Sequence, residues 1–360
     1  MRILIAANSS VGLVKFRSEL IKKLKENHEV FVAVKLDKCV RELQNMVDKV
    51  IEIDMDRRGT NPVEELRLYR SCARAIESIR PDFVITYTIK PNIYCGLAAG
   101  KQKIPYAANI TGLGTAFQKE GFLKRNIVRL YRKALKNAKV VFFENAVNAR
   151  VFSDYRIVRQ DNQYILHGAG VNLQKFSFQE YPAKQKINFL FMGRLMKEKG
   201  VGELFEAAEQ LYRVRKDFVL TILGGYEEDY QEKVAELERL GIVNYVGWVD
   251  DVAPYIKECM CTVLPSYHEG MSNTLLECAA MGRPIIASDI AGCREAVLDG
   301  KSGYLVHVKD SKDLFEKMRM FCALSPEERV QMGRASRAHM EKNFDKDQVV
   351  KETIDRMGLI

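Results

Sequence analysis

Two carboxylates, Glu269 and Glu277, stand eight positions apart in the run Glu269-Gly-Met-Ser-Asn-Thr-Leu-Leu-Glu277. An apolar strand candidate, Cys261-Thr-Val-Leu-Pro-Ser266, leads into it through Tyr267 and His268. Gly270, Ser272 and Asn273 suit a tight turn and a helix N-cap, and from Thr274 to Met281 the pattern is helical. A strand, a polar turn and a helix start make a ready anion site, because the first N–H groups of a helix lack internal partners and its dipole points outward there. Carboxylates in such a place are unsuited to the anion itself. They suit the hydroxyls of a sugar or ribose attached to it, so the combination points to a nucleotide-sugar pocket.

A basic counterpart lies upstream. Gly193-Arg-Leu-Met-Lys-Glu-Lys-Gly200 follows another strand candidate and opens another helix. Arg194 and Lys199 can converge on one anion if the loop folds back: arginine offers a planar fork to phosphate oxygens and lysine a point charge. The alternative is a solvated basic loop. Asn8-Ser-Ser-Val-Gly12 follows the first strand of the chain, where Gly12 would permit close backbone approach to a phosphate or sugar.

Other chemistries find no support. Gly112-Leu-Gly114 and Gly168-Ala-Gly170 lack the third glycine of a dinucleotide fingerprint, and neither follows the first strand. His268-Glu269 lacks the second histidine of a zinc protease helix. There is no G-x-S-x-G elbow and no phosphate-loop lysine. Asp54-Met-Asp56 meets Arg57-Arg58 and reads as a charge-balanced turn rather than a metal pair. The eight cysteines are scattered and mostly sit in apolar segments, which favours buried free thiols in a reducing compartment.

At 360 residues the chain exceeds what one core usually holds, so two domains are expected. Met1-Arg-Ile-Leu-Ile-Ala-Ala runs directly into a strand without signal-peptide architecture. No apolar run approaches the roughly 20 residues that span a bilayer. Net charge is +9, unevenly spread: residues 1–180 hold 31 Lys and Arg against 18 Asp and Glu, and residues 181–360 hold 25 against 29. Nucleic-acid binding is disfavoured, since no known motif appears and the acidic second half would repel phosphates. Within the first half, Lys119, Lys124, Arg125, Arg129, Arg132, Lys133, Lys136 and Lys139 alternate with Phe117, Phe122, Leu123, Ile127, Val128, Leu130, Tyr131 and Leu135. Such a basic amphipathic helix can lie on an anionic membrane surface; the alternative is an ordinary packed helix with a solvated outer face.

Positioning these groups requires two βα series. The first has strand candidates at 2–7, 29–34, 49–53, 82–88, 104–110 and 138–144, with helices at 15–26, 62–79 and 121–137. The second has strands near 187–194, 217–224, 243–249, 261–266, 284–288 and 303–306. Its helices are expected near 201–214, 227–240, 273–282, 292–298 and 311–322. Gln160–Gln185 reads as the connection between domains, and the tail from Pro326 is helical and charged. Strands alternating with helices imply parallel sheets covered on both faces, twice over, with ligands outside the carboxyl edges of the strands.

The second series carries a resemblance. Gly193-Arg-Leu with Glu198-Lys-Gly200, Gly224-Gly225, Val246-Gly-Trp-Val-Asp-Asp251, Leu264-Pro-Ser266, Glu269-Gly270, Leu275-Leu-Glu277, Gly282-Arg-Pro-Ile-Ile-Ala-Ser-Asp289, Gly292, Glu295 and Gly303-Tyr-Leu-Val306 resemble glycosyltransferase family 4, retaining enzymes of the GT-B fold. Thr88-Ile-Lys-Pro-Asn92 and Asn109-Ile-Thr-Gly-Leu-Gly-Thr-Ala-Phe117 look like the branch that builds capsular polysaccharide, exopolysaccharide and glycan precursors on polyprenyl diphosphate.

The resemblance implies an acceptor-binding Rossmann-like domain at 1–180, a nucleotide-sugar-binding one at 181–342, and a C-terminal helix at 343–360 packing back on the first, with the sheets facing a central cleft. It implies that Arg194 and Lys199 bind the donor diphosphate, Glu269 the sugar hydroxyls near the reacting centre and Glu277 the ribose. Gly270, Met271 and the amides of Ser272, Asn273 and Thr274 would line the donor site, Gly12 would approach the diphosphate, and the Gly247–Val249 turn would border the base. Thr111 and Lys90 are acceptor-side candidates, although relatives place a histidine or glutamate where Thr111 stands. Met271 replaces the phenylalanine common in the family. The expected reaction is retaining transfer of a hexose-type sugar from a UDP-sugar to a polyprenyl-diphosphate-linked glycan, with no metal or other cofactor, by an enzyme peripheral on the inner face of the cell membrane through the helix around 119–139. The alternative is a soluble enzyme of the same fold acting on a free sugar or other small acceptor.

Overall fold

The computed structural model describes residues 1–55, 61–114, 117, 121–183 and 186–359. The chain divides into two compact units, Met1–Ala169 with Asp347–Ile360, and Gly170–Lys346.

The first unit is built on β1 (Arg2–Ala7), β2 (Glu29–Val34), β3 (Lys49–Glu52), β4 (Phe83–Tyr87), β5 (Tyr106–Ile110), β6 (Val140–Phe143) and β7 (Gln163–Ile165). All pair in parallel, in the order β3-β2-β1-β4-β5-β6-β7. Strands buried on both faces need unbroken apolar runs, as in Ile3-Leu-Ile-Ala-Ala7. Alternate residues serve opposite faces: Leu4 and Ala6 join one apolar cluster, Ile3 and Ile5 the other. The covering helices are α1 (Ser10–Lys25), α2 (Val40–Gln44), α3 (Pro62–Ile79), α4 (Ile89–Lys101), α5 (Phe122–Leu135) and α6 (Ala146–Asp154).

The second unit repeats the plan with β8 (Ile187–Met192), β9 (Phe218–Leu223), β10 (Val243–Gly247), β11 (Cys261–Leu264), β12 (Ile285–Ser288) and β13 (Gly303–Val306), in the parallel order β10-β9-β8-β11-β12-β13. Its helices are α7 (Val201–Val214), α8 (Gln231–Arg239), α9 (Ala253–Glu258), α10 (Asn273–Ala280), α11 (Ser311–Ala323) and α12 (Pro326–Asn343). Arg283, fully buried, donates to the carbonyls of Ile256 (2.9 Å) and Lys257 (3.1 Å) at the end of α9 and to that of Glu180 (3.1 Å). The last helix, α13 (Lys346–Met357), clusters with the first unit: the Tyr164 hydroxyl bonds Glu352, and the Lys139 ammonium donates to the Met357 carbonyl at 2.8 Å.

Three departures from the sequence reading bear on the site. The expected helix at 292–298 is a single 3₁₀ turn, Arg294–Ala296, between Gly292 at φ +87° and Val297 in extended conformation. Helix α4 was absent from the expected elements: its composition, with Pro91, Gly96 and Gly100, is poor in helix formers, and packing on α5 and β5 holds it instead. The stretch read as the start of a linker contains β7, a three-residue edge strand too short to carry a period.

Candidate functional site

Both sheets reverse strand order at one point, between β1 and β4 in the first unit and between β8 and β11 in the second. Ligands of open α/β sheets bind beyond the carboxyl ends of strands at such points. In the second unit the β8–α7 turn carries Arg194 and Lys199, and the β11–α10 turn carries Glu269 through Ser272. Neighbouring strands therefore deliver both halves of the charged set.

The two turns are laced together. The Tyr267 N–H donates to the Glu198 carbonyl at 2.8 Å. Gly200 sits at φ +69°, and a Cβ there would lie 2.1 Å from the Pro265 carbonyl oxygen, so no other residue permits the approach. This contact seats the Lys199 ammonium on Glu269 Oε1 at 2.5 Å, with both side chains largely shielded. The Tyr267 hydroxyl donates to Glu203 at 2.5 Å, and burial followed by that carboxylate pushes its pKa up. Arg194 takes a different partner: its Nη1 lies 3.2 Å from Glu227 Oε2, and its side chain is 44% exposed. The two cations thus rest on different carboxylates rather than on a shared one.

Ser272 is the N-cap of α10, but its side chain makes no capping hydrogen bond and is buried. Its carbonyl accepts from Leu275 (3.0 Å) and Leu276 (3.2 Å). The amides of Asn273 and Thr274 open the helix, and the residues one turn earlier, Glu269 and Gly270, are not helical. At the other end, Arg337 Nη1 donates to the Ala280 carbonyl at 2.8 Å, a cation where the dipole is negative. Met271 is buried in the core of the unit, which leaves its backbone as what the turn can present. Glu277 is half-buried one turn into α10. Across the sheet, Trp248 in the Gly247–Val249 turn is 61% exposed.

In the first unit, Gly12 falls inside the first turn of α1, with no atom within 4 Å of where its Cβ would be. Asp37 occupies that helix start: its carboxylate accepts from Ser9 at 2.6 Å and from Ser10. Burial raises its pKa, but the hydroxyls of Ser10 and Ser9 and the amides of Cys39 and Val11 outweigh it and hold the group below its usual value. Lys90, just beyond β4, is paired with Glu65 at 2.6 Å, both nearly buried. Thr111 lies just past β5, half-buried. Other members of that sequence motif are structural. Thr86 donates to Asn92 at 2.7 Å, Asn92 to the Asn109 carbonyl at 2.8 Å, and Asn109 to the Thr86 carbonyl at 3.1 Å, tying β4, α4 and β5 together.

The basic segment is only partly a surface. Lys124 is buried, its ammonium 4.8 Å from the centre of the Tyr155 ring, which corrects its place among the outward charges. Arg125, Arg129 and Lys133 on α5 and Lys136 just beyond it are exposed, as is Arg132, whose guanidinium donates to the Tyr155 carbonyl, and Phe122 at the helix start is 78% exposed. Lys119 lies outside the described residues, as do Asp56, Arg57 and Arg58. Among the described residues no group of three or more His, Cys, Asp or Glu is arranged to hold a metal ion, and no helix is long and apolar enough to cross a membrane.

The sequence reading gave no role to Glu227, the partner of Arg194, or to Asp37, and gave Gly292 and Glu295 none beyond membership of a motif. Long-range pairings of this kind leave no local period. A glycine three residues before a glutamate was the one visible sign.

Comparison with known proteins agrees with this architecture. Residues 2–145 match the family model for "Glycosyl transferase 4-like" domains, and residues 186–323 that for "Glycosyl transferases group 1". The chain is 32% identical over 358 residues to the N,N'-diacetylbacillosaminyl-diphospho-undecaprenol alpha-1,3-N-acetylgalactosaminyltransferase of Campylobacter jejuni, covering 94% of this chain and 93% of that one. In fold it is similar to Anabaena Alr3699/HepE, solved with UDP and glucose (TM-score 0.82, 15% identity, 100% of both chains). It is also similar to sucrose-phosphate synthase of Thermosynechococcus elongatus (TM-score 0.79, 16% identity, 99% and 98% of the chains). Sequence kinship along nearly the whole chain, on two Rossmann-like units with all-parallel sheets, means that the chain belongs to the GT-B glycosyltransferases related to family 4.

Proposed function

We propose that this enzyme transfers a hexose-type sugar from a UDP-sugar, with retention of anomeric configuration, to a glycan carried on polyprenyl diphosphate. The observation that carries the acceptor class is the 32% identity along 94% of the chain to a relative named for a diphospho-undecaprenol acceptor. The donor class draws on the UDP-bound HepE structures and on the site itself.

In this reading the diphosphate meets the α10 amides of Asn273 and Thr274, with Lys199 and Arg194 as its cations, while the Ser272 amide expected beside them is already taken by the Gly292 carbonyl. Glu269 and Glu277 read hydroxyls of sugar and ribose, and the turn at Trp248 borders the base. The Lys199–Glu269 pair gives the geometry a specific property. Each group keeps the other in place, so that the ammonium neutralises the departing diphosphate while the carboxylate faces the sugar beside it. Because the charge that grows in the transition state is on the leaving diphosphate, stabilising it is the main catalytic work of these residues. In the retaining reaction implied by the family, the acceptor hydroxyl attacks from the face that the diphosphate leaves, and a diphosphate oxygen takes its proton.

Thr111 and Lys90 belong to the first unit, to which we assign the acceptor; Gly12, expected at the donor diphosphate, sits in the same unit at a helix start that Asp37 already occupies. The pairing of Lys90 with Glu65 favours a role in shaping that surface. We further propose peripheral attachment on the cytoplasmic face of the membrane, supported by the outward Arg125, Arg129, Arg132, Lys133 and Lys136 beside exposed Phe122 and Leu123.

The test is incubation of the enzyme with radiolabelled UDP-sugars and either a polyprenyl-diphosphate-linked saccharide or the free saccharide. Label transferred to the lipid-linked acceptor supports the reading. Transfer to the free sugar alone replaces it with the soluble-acceptor alternative. Reversal of charge at Arg129 and Arg132 should reduce sedimentation with anionic vesicles; unchanged sedimentation removes the membrane contact.

A further inference from the structure

We propose that Glu295 is a positioning residue for the Glu269–Thr274 turn, acting through Gly292 to set the amides at the start of α10. The proposal rests on the reading of that turn as the donor site.

Gly292 lies in the connection between β12 and β13, and its peptide group meets the turn closely. At φ +87°, a Cβ on Gly292 would lie 2.4 Å from the Gly270 carbonyl oxygen and 2.9 Å from that of Glu269. Its carbonyl accepts the Ser272 N–H at 2.9 Å, one residue before the helix. The orientation of one glycine peptide therefore fixes where the backbone from Gly270 to Ser272 runs. A glycine would not hold that orientation by itself, since its backbone is the least restricted of all residues.

Glu295 supplies the restraint. Its Oε2 accepts the Gly292 N–H at 2.6 Å, a charge-assisted bond to the far side of the same residue. The carboxylate is itself placed by the 3₁₀ turn Arg294–Ala296 and by α12. His339 Nε2 donates to the Glu295 carbonyl at 2.8 Å, and His339 Nδ1 accepts from Asn343 Nδ2 at 3.0 Å. A carbonyl can only accept, so the imidazole proton is on Nε2. The sequence of contacts runs from Asn343 and His339 through Glu295 and Gly292 to Ser272, and it ends one residue before the Asn273 and Thr274 amides proposed to meet the diphosphate. Glu295 touches no substrate in this arrangement, and its effect is on where those amides point.

The experiment compares wild type, Glu295→Ala and Glu295→Gln by amide hydrogen exchange at Ser272, calorimetric titration with UDP, and steady-state kinetics for donor and acceptor. Glu295→Ala should expose the Ser272 amide to exchange. It should weaken UDP binding and raise the donor KM on the order of tenfold, leaving the acceptor KM unchanged. Glu295→Gln, whose amide oxygen can still accept from Gly292, should recover most of both. Unchanged exchange at Ser272 in Glu295→Ala overturns the positioning role. So does an equal rise in both KM values, which would mean general loosening of the fold. A wild type that binds no UDP overturns the donor-site reading instead, and exchange at Ser272 still decides whether Glu295 sets the turn.

Discussion

The strand-order reversal at β1/β4 and the one at β8/β11 begin from the same architecture, and each is followed by the start of a long or well-packed helix. At β1 the helix start is closed from within. Asp37 reaches over from beyond β2, takes the hydroxyls of Ser9 and Ser10 and the Val11 amide, and places a negative charge where an anion would otherwise go. Beyond β4, Lys90 is neutralised by Glu65. At β11 the helix start carries no side-chain cap, and the nearby Lys199 is held by a carboxylate suited to hydroxyls. One fold therefore supports a helix start that a carboxylate closes and another whose N-cap side chain makes no capping bond. What separates them is a few side chains, none of which alters the sheet.

The largest expected effect comes from the second unit. Lys199→Ala should lower turnover on the order of a hundredfold or more while the melting temperature stays near that of wild type. Arg194→Ala should lower it less, because the Arg194 side chain is 44% exposed against 22% for Lys199, and solvent screens its charge more. Near-wild-type kcat in Lys199→Ala would remove the distinction between the two helix starts.

Next in size is Gly200→Ala. Its Cβ would meet the Pro265 carbonyl oxygen at 2.1 Å in a left-handed backbone conformation, so it should cost about 1–3 kcal/mol of stability and separate the turns that seat Lys199 on Glu269. Denaturant unfolding alongside activity would measure both.

A third test addresses the closed helix start. Asp37 binds its proton less readily folded than unfolded, so its contribution to stability is complete above about pH 4 and falls away as pH drops through the lowered folded value. Asp37→Asn should be less stable than wild type at pH 7, and the gap should close in acid. A gap independent of pH would show that the carboxylate is not what closes α1. The smallest expected effect is Ser272→Ala, since that side chain makes no cap bond: stability and donor KM should stay within about twofold of wild type.

The two Rossmann-like series, the parallel sheets and the principal charged residues were legible in the sequence because they are local: strands such as Ile3–Ala7 and Phe189–Met192 are continuous apolar runs, and Glu269 and Glu277 share one turn and helix. Helix α4 was not, because its glycines and proline are tolerated only through packing. Nor could the sequence show that Lys199 pairs with Glu269, Arg194 with Glu227, or Glu295 with Gly292. The first two join residues far apart in the chain, and the third lies where a positive φ at Gly292 and an extended Val297 bound a single turn instead of the expected helix.

The central claim is that the start of α10, with Lys199 and Arg194, receives a diphosphate. Calorimetric titration of the wild type with UDP and with uridine tests it most directly. UDP should bind at least about tenfold more tightly than uridine, since each charge-assisted hydrogen bond contributes on the order of 1.5–3 kcal/mol, and Lys199→Ala should narrow that ratio. Equal affinity for UDP and uridine, or a ratio untouched by Lys199→Ala, would contradict the account.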